Sequence, residues 1–346
     1  MRLTWSRIDL RLARPFVTAV ARRSRKQTLW VRFDHEGVEG WGEAAPSDLY
    51  GQSLESAEAA LDRAAGLLSG DPFDVPRLVI RLLEHLDDQR AAVAAVDAAL
   101  HDWAGKRLGR PVIDLLDFRA ADHPLTSYTI GIGSPEQTEA AARDAVGYPI
   151  WKVKVGTDTE EQTLALLRRI APDRTIRVDA NTAWPAADAP RRFDRVCRYD
   201  VELVEQPAAR GDLDTLRRLR DLRRCPIVAD ESCVVPADVP RVASCVDGIN
   251  IKLSKCGGIV QAREMIRLAR AAGLKVMLGC MIESSLGIAA AAQLAPLADW
   301  LDLDGHLLLA DDPFRGLGGE QAGRLTIGRA PGLGVTPRPE MESAPD

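Results

Sequence analysis

The chain has 346 residues, is 46% hydrophobic, and carries 27% charged residues with a formal net charge of −5. A chain of this size buries a large core, and charges of both signs spread along it exclude the concentrated basic surface of a nucleic-acid binder. No apolar run reaches the ~18 residues needed to cross a bilayer, and the opening MRLTWSRIDLRLARPF lacks the apolar stretch of a secretory signal. The six cysteines (197, 225, 233, 245, 256 and 280) form no CxxC pair and no zinc spacing. They read as reduced packing residues of a cytoplasmic protein.

In chain order, LTWSRIDLRL and TLWVRFD read as strands with the loop TAVARRSRKQ between them, and GVEGWGEAAP as a third strand entering a turn. Amphipathic helices follow at roughly 54–68 and 76–87, and a third, AAVAAVDAALHDWAGKRLG, ends at Gly109. Strands first and helices afterwards predict an α+β domain over 1–120. From about residue 125 strands and helices alternate. The strand candidates are LTSYTIGI, PIWKVKVG, TIRVDAN, VELVEQP, PIVADES, GINIKLS, KVMLGCM and DWLDLDG. Eight strands with helices between most neighbours, and no helix after the last, predict an α/β fold with a TIM-type (β/α)7β barrel over 121–317. The segment 318–346 is expected to fold back on the first domain, its last ten or so residues disordered.

Three acids close successive strands: Asp179, Glu205 and Asp230, spaced 26 and 25 residues apart, about one βα unit. Lys154 precedes the series and Lys252 follows it. In a parallel barrel the C-terminal strand ends converge on one mouth, so three hard oxygen donors and two amines meet there. Strand periodicity puts Lys152 with Lys154, Asn181 with Asp179, Asn250 with Lys252, and Asp302 with Asp304 on shared faces. Three carboxylates without His or Cys suit Mg²⁺, with Mn²⁺ an acceptable substitute. Lys154 and Lys252, from strands two and six, face each other across the barrel. Beside a cation in a partly dry mouth their pKa is expected to fall, so that one removes a proton and the other returns one, with Lys152 assisting Lys154. The cation would stabilise the enediolate of a carbon acid next to a carboxylate.

The set KVK (152–154), DAN (179–181), VEQP (204–207), ADES (229–232) and NIKLSKCGG (250–258) resembles the enolase superfamily, muconate-lactonising subgroup. The resemblance covers nearly the whole chain and makes the N-terminal domain a capping domain. The mandelate-racemase branch would place a His at the end of strand seven, where this chain reads LGCMIESS. Within the subgroup, DLDG resembles the dipeptide-epimerase signature. Asp302 and Asp304 are then expected to hold a substrate ammonium, and a dipeptide is the expected partner. The capping loop carries Arg22, Arg23 and Arg25, where the family places residues touching the far end of the substrate. Arg23 is the first choice, although Ala21 stands where some Ala-Glu epimerases have arginine. A guanidinium there points to an Ala-Glu dipeptide. Tyr50, beside Asp48, is expected to close over the substrate, and Glu231 to stand behind the metal acids. Lys255 is expected to be exposed or paired with those acids. The alternatives are o-succinylbenzoate synthase, N-acylamino-acid racemase, or a non-catalytic small-molecule-binding barrel. Homo-oligomerisation is left open.

Overall fold

The structure, a computed structural model, describes residues 1–118, 123–318 and 321–339. The expected boundary at 120/121 lies outside these residues, as does most of the stretch read as disordered. The first strands are β1 (Arg2–Val17), β2 (Arg22–His35) and β3 (Val38–Ala44), an antiparallel sheet in that order. Leu29, Val31 and Phe33 alternate onto its buried face, the period-two pattern of a half-buried strand. Against that face pack α1 (Leu54–Leu67), α2 (Val75–Leu86) and α3 (Arg90–Leu108). At Gly42 of β3 a Cβ would stand 2.0 Å from the Ala95 carbonyl oxygen, so glycine is what lets α3 lie on the sheet. The Ala-rich face of α3 serves the same close approach. The other side of α3 meets the barrel, which is why it is buried on nearly every face.

One sequence expectation changes here. The loop placed at 18–27 is only a tight turn, closed by the Thr18 amide on the Ala21 carbonyl at 2.9 Å. Arg22, Arg23 and Arg25 belong to β2, opposite Val17, Phe16 and Arg11, with an irregularity in register between Arg11 and Phe16. Arginines on both arms hid this hairpin extension, because a solvated ladder has no apolar alternation to read.

After α4 (Val112–Leu115), eight parallel strands form the barrel: β4 (Tyr128–Ile130), β5 (Ile150–Lys154), β6 (Thr175–Asp179), β7 (Leu203–Glu205), β8 (Ile227–Ala229), β9 (Gly248–Ile251), β10 (Lys275–Gly279) and β11 (Trp300–Asp302). The connecting helices are α5 (Pro135–Asp144), α6 (Glu160–Ile170), α7 (Ala189–Cys197), α8 (Leu213–Asp221), α9 (Val239–Val242), α10 (Leu253–Cys256), α11 (Ile259–Ala271) and α12 (Ser285–Ala292). Only a short 3₁₀ turn follows β11, so the order is (β/α)7β. The nearly closed seam is bridged by Thr126 pairing with Leu301, and by the Ser127 amide on the Leu301 carbonyl at 3.1 Å.

Outward residues such as Trp151, Val153, Val178 and Ile249 meet the helices in the main core. Leu203, Val228, Met277 and Trp300 form a separate apolar cluster. Each lies two residues before the end residue on its strand's inward face, so this cluster is the barrel floor. The C-terminal segment ties back to α3: the Gly332 amide donates to the Arg110 carbonyl at 3.0 Å, and the Leu333 amide to Asp102 Oδ1 at 2.7 Å. No helix among the described residues is long and apolar enough to cross a membrane.

Candidate active site

Parallel register brings the mouth residues level. Lys154 lies opposite Asp179 across β5 and β6, and Asp179 lies opposite Glu205 across β6 and β7. Lys154 Nζ donates to Asp179 Oδ2 at 2.6 Å. One pleat deeper, Lys152 is fully buried and sits 3.0 Å from Asp179, 2.7 Å from Glu205 and 2.6 Å from Asp302. Across the barrel, Lys252 donates to Asp230 Oδ2 at 2.7 Å. Lys255, fully buried, donates to Asp230 Oδ1 and to the carbonyls of Asp230 and Asn250, each at 2.7 Å. It is thus a partner of the acids and not an exposed lysine.

The neighbours named from periodicity position this set. Asn250 donates to Glu205 Oε1 at 2.8 Å, and Asn181 to Glu231 Oε1 at 3.3 Å. Gln206, unnoticed as a side chain although it stands in VEQP, accepts from the amides of Asp230 at 3.0 Å and Ser232 at 3.1 Å, which fixes the ADES turn. At Gly279 a Cβ would stand 2.5 Å from Asn250 Oδ1, so the end of strand seven must carry no side chain.

Burial opposes charge on Lys152 and Lys252, but the facing carboxylates more than offset it and hold both well above the ordinary lysine range. At Lys252 this is the reverse of the fall expected from the sequence. That expectation assumed that the carboxylates spend their charge on a cation. Asp179 and Asp230 are held well below the usual carboxylate range, their lysines overcoming burial. Glu205 is pushed up to about 7 and Glu231 to about 8, first by burial and then by neighbouring carboxylates.

Among the described residues, no three His, Cys, Asp or Glu side chains already stand together as a coordination group. The donor set nevertheless fits a hard divalent ion. Six carboxylates (Asp179, Glu205, Asp230, Glu231, Asp302 and Asp304) face four ammonium groups (Lys152, Lys154, Lys252 and Lys255), an excess of two negative charges. Glu205 Oε2 and Glu231 Oε2 are buried without an aligned hydrogen bond, although the former lies close to Lys152. Two raised carboxylates side by side, Glu205 and Glu231, signal an unmet need for positive charge.

Asp302 and Asp304 differ. Asp302 is engaged by Lys152 and by Ser127 Oγ at 2.7 Å. Asp304 accepts from the Thr129 amide at 2.6 Å and is raised to about 6 by burial and by Asp302, against the hydrogen bonding of Thr129 and the charge of Lys152. Ser127 and Thr129 could not be tied to these acids from sequence, because the contact closes the barrel seam across 175 residues.

A cavity of about 470 Å³ joins these groups to the capping domain. Arg23 and Lys26 line it with Asp48, Leu49, Met281 and Ile282. Arg22 lines a neighbouring cavity, and Arg25 is exposed beside Asp9 at 3.3 Å, so of the three arginines only Arg23 reaches the mouth. Lys26, which sequence reading passed over, is lowered below the ordinary lysine range by burial and by Arg23. Its signal was its place as the last cation before the buried run that begins at Thr28. Tyr50 ends the turn Asp48–Tyr50, its ring under the Arg210 guanidinium at 5.8 Å, and its hydroxyl is pushed up by burial and by the charge of Asp230.

Fold and site together define an enolase-type barrel with a capping domain, its acids and lysines gathered at the mouth. The family models agree. "Mandelate racemase / muconate lactonizing enzyme, N-terminal domain" matches residues 3–117, and "Enolase C-terminal domain-like" matches residues 136–341. The chain belongs to this family. It is 34% identical to an L-Ala-D/L-Glu epimerase of Bacteroides thetaiotaomicron over 97% of this chain and 88% of that one. The L-Ala-D/L-Glu epimerase of Bacillus subtilis, solved as a substrate-liganded complex, superposes with a TM-score of 0.92 at 33% identity, covering 97% of this chain and 98% of that one. A dipeptide epimerase of Methylococcus capsulatus, solved with Mg and L-Arg-D-Lys, gives a TM-score of 0.90 at 37% identity, covering 97% and 99%.

Proposed function

We propose that this enzyme is a Mg²⁺-dependent dipeptide epimerase that inverts the α-carbon of the C-terminal residue, with an acidic residue such as Glu at that position. The observation that carries the reading is the opposition of two lysines, Lys154 at the end of β5 and Lys252 just after β9, across an eight-stranded barrel whose acids lie between them. Asp179, Glu205 and Asp230 would hold the ion, which supplies a hard positive charge for the substrate carboxylate when bound. Lys154 takes or returns the α-proton on one face, and Lys252 does so on the other. Lys152 holds Asp179, Glu205 and Asp302 in place from below.

Asp304 receives the N-terminal ammonium, since a buried, raised carboxylate without a cationic partner among the described residues gains most from one. Asp302, already paired with Lys152, supports it. At the far end Arg23 and Lys26 place two cationic groups in the cavity and favour a side-chain carboxylate. A cytoplasmic role in murein peptide metabolism is part of this reading.

The test is proton NMR in D₂O with Mg²⁺ and L-Ala-L-Glu, beside a panel of neutral and cationic dipeptides. Loss of the Glu α-proton signal with appearance of the L,D diastereomer is the expected result. Exchange confined to cationic dipeptides would overturn the assignment of Arg23 and Lys26. No exchange with any dipeptide would overturn epimerisation and favour the lyase or acylamino-acid reading.

A further inference from the structure

The six cysteines were read from sequence as reduced packing residues, and two of them, both packed against the core, also stand face to face. Cys197 ends α7, and Cys225 stands just before β8 on the outer side of the barrel wall. Their Sγ atoms are 3.0 Å apart, about 1 Å beyond the length of a disulfide bond. Both residues are half-buried, whereas Cys233, Cys245 and Cys256 are buried. We propose that Cys197 and Cys225 are a reversible thiol–disulfide site, oxidised to an intramolecular disulfide by exchange with a low-molecular-weight disulfide.

The surroundings make the pair asymmetric. The contact with Cys197, together with burial and Asp247, holds the Cys225 thiol far above the ordinary cysteine range. Arg224, next to Cys225 in the chain, lies close enough to interact with the Cys197 sulfur, while it also donates to Asp194 at 2.6 Å. The thiolate is the attacking species in such exchange, and Cys225 is the thiol held in its protonated form. Cys197 therefore attacks first. Its thiolate bonds to one sulfur of the external disulfide, the S–S bond breaks, and one small thiolate leaves. Cys225 then loses its proton to solvent and attacks the Cys197 sulfur, expelling the second small thiolate. The two protein thiols are oxidised by two electrons, and the external disulfide is reduced to two thiols.

The cross-link would span 28 residues that contain β7, with Glu205, and α8. Closing that loop restricts the unfolded chain, so the oxidised protein should unfold at a higher temperature. The site lies on the outer wall and does not depend on the reaction at the mouth.

The full-length protein would be treated with oxidised glutathione, its free thiols blocked with an alkylating agent, and its peptides mapped by mass spectrometry. The expected result is one internal link, between Cys197 and Cys225, removed by dithiothreitol and accompanied by a higher thermal midpoint. Under the same treatment C225S should carry a single glutathione adduct at Cys197 and no internal link. The proposal is overturned if wild-type protein keeps alkylatable thiols at both positions. It is equally overturned if wild type accumulates the Cys197 adduct as C225S does, or if the link formed joins another pair.

Discussion

On the proposed two-base reading Lys154 and Lys252 each serve one face of the substrate, so the two substitutions should not be equivalent. Lys154→Ala and Lys252→Ala should each lower epimerisation by about 10²–10⁴-fold, the range for a lost general acid–base group. Each variant should still exchange the α-proton of one epimer with D₂O, and the two should differ in which epimer that is. Normal epimerisation by both would sink the two-base reading. Asp304 makes a separate prediction because it is pushed up to about 6. As pH falls through that value the free enzyme protonates Asp304, and the charge that would meet the ammonium is lost. kcat/KM should therefore decline below about pH 6, and Asp304→Asn should remove that limb. The same variant should raise KM about 10–100-fold with a smaller change in kcat, the value of a hydrogen bond to a charged group.

Among elements, the seam between α3 and the barrel rests on single polar groups. Glu43 of β3 accepts from the Ser284 amide at 3.1 Å and the Gly287 amide at 3.2 Å, capping α12 from the other domain. Burial, with Glu283 nearby, pushes Glu43 up to about 7. The folded state then holds this proton more tightly than the unfolded chain, whose carboxyl titrates near 4.5. Glu43 thus contributes stability that is fully present below about pH 4.5 and is lost as pH rises to about 7, about 3 kcal/mol in all. Urea unfolding of Glu43→Gln should gain on wild type by that order between pH 4.5 and pH 8. A constant difference would contradict it. At the start of α11, Asp97 of α3 accepts from the Val260 amide at 3.3 Å and also binds the Ile259 amide. Gly258 there has a φ of +106°, and a Cβ would stand 2.2 Å from Asp97 Oδ2. Gly258→Ala combines backbone strain with that clash and should cost about 2 kcal/mol or more in denaturant unfolding.

For the whole molecule, the excess of buried carboxylates means that stability and ion binding are linked. Mg²⁺ at about 100 times its Kd should raise unfolding free energy by about 2.7 kcal/mol. EDTA should reverse the shift in thermal midpoint, and Asp179→Asn should shrink it. A midpoint insensitive to Mg²⁺ would count against Asp179, Glu205 and Asp230 as the ion's ligands. Capping domain and barrel both line the cavity, with Arg23 and Lys26 on one side and Lys154 and Asp304 on the other, so on the proposed reading substrate length and charge would be read across the seam.

The sequence by itself determined the order of the barrel strands, the missing eighth helix and the acids and lysines at the strand ends. A period of two and a repeat of one βα unit are local patterns, and the chain cannot carry them without forming the mouth. Tertiary structure alone decided which of the equivalent-looking charges matter. Arg22, Arg23 and Arg25 look alike in a row, and the hairpin register sends only Arg23 into the mouth. Asp302 and Asp304 share a face, yet the seam gives one to Lys152 and Ser127 and leaves the other for a ligand. Likewise Cys197 and Cys225 meet only because α7 and the approach to β8 lie side by side on the barrel wall. Such choices depend on partners brought close by folding from far along the chain, and no local periodicity encodes them.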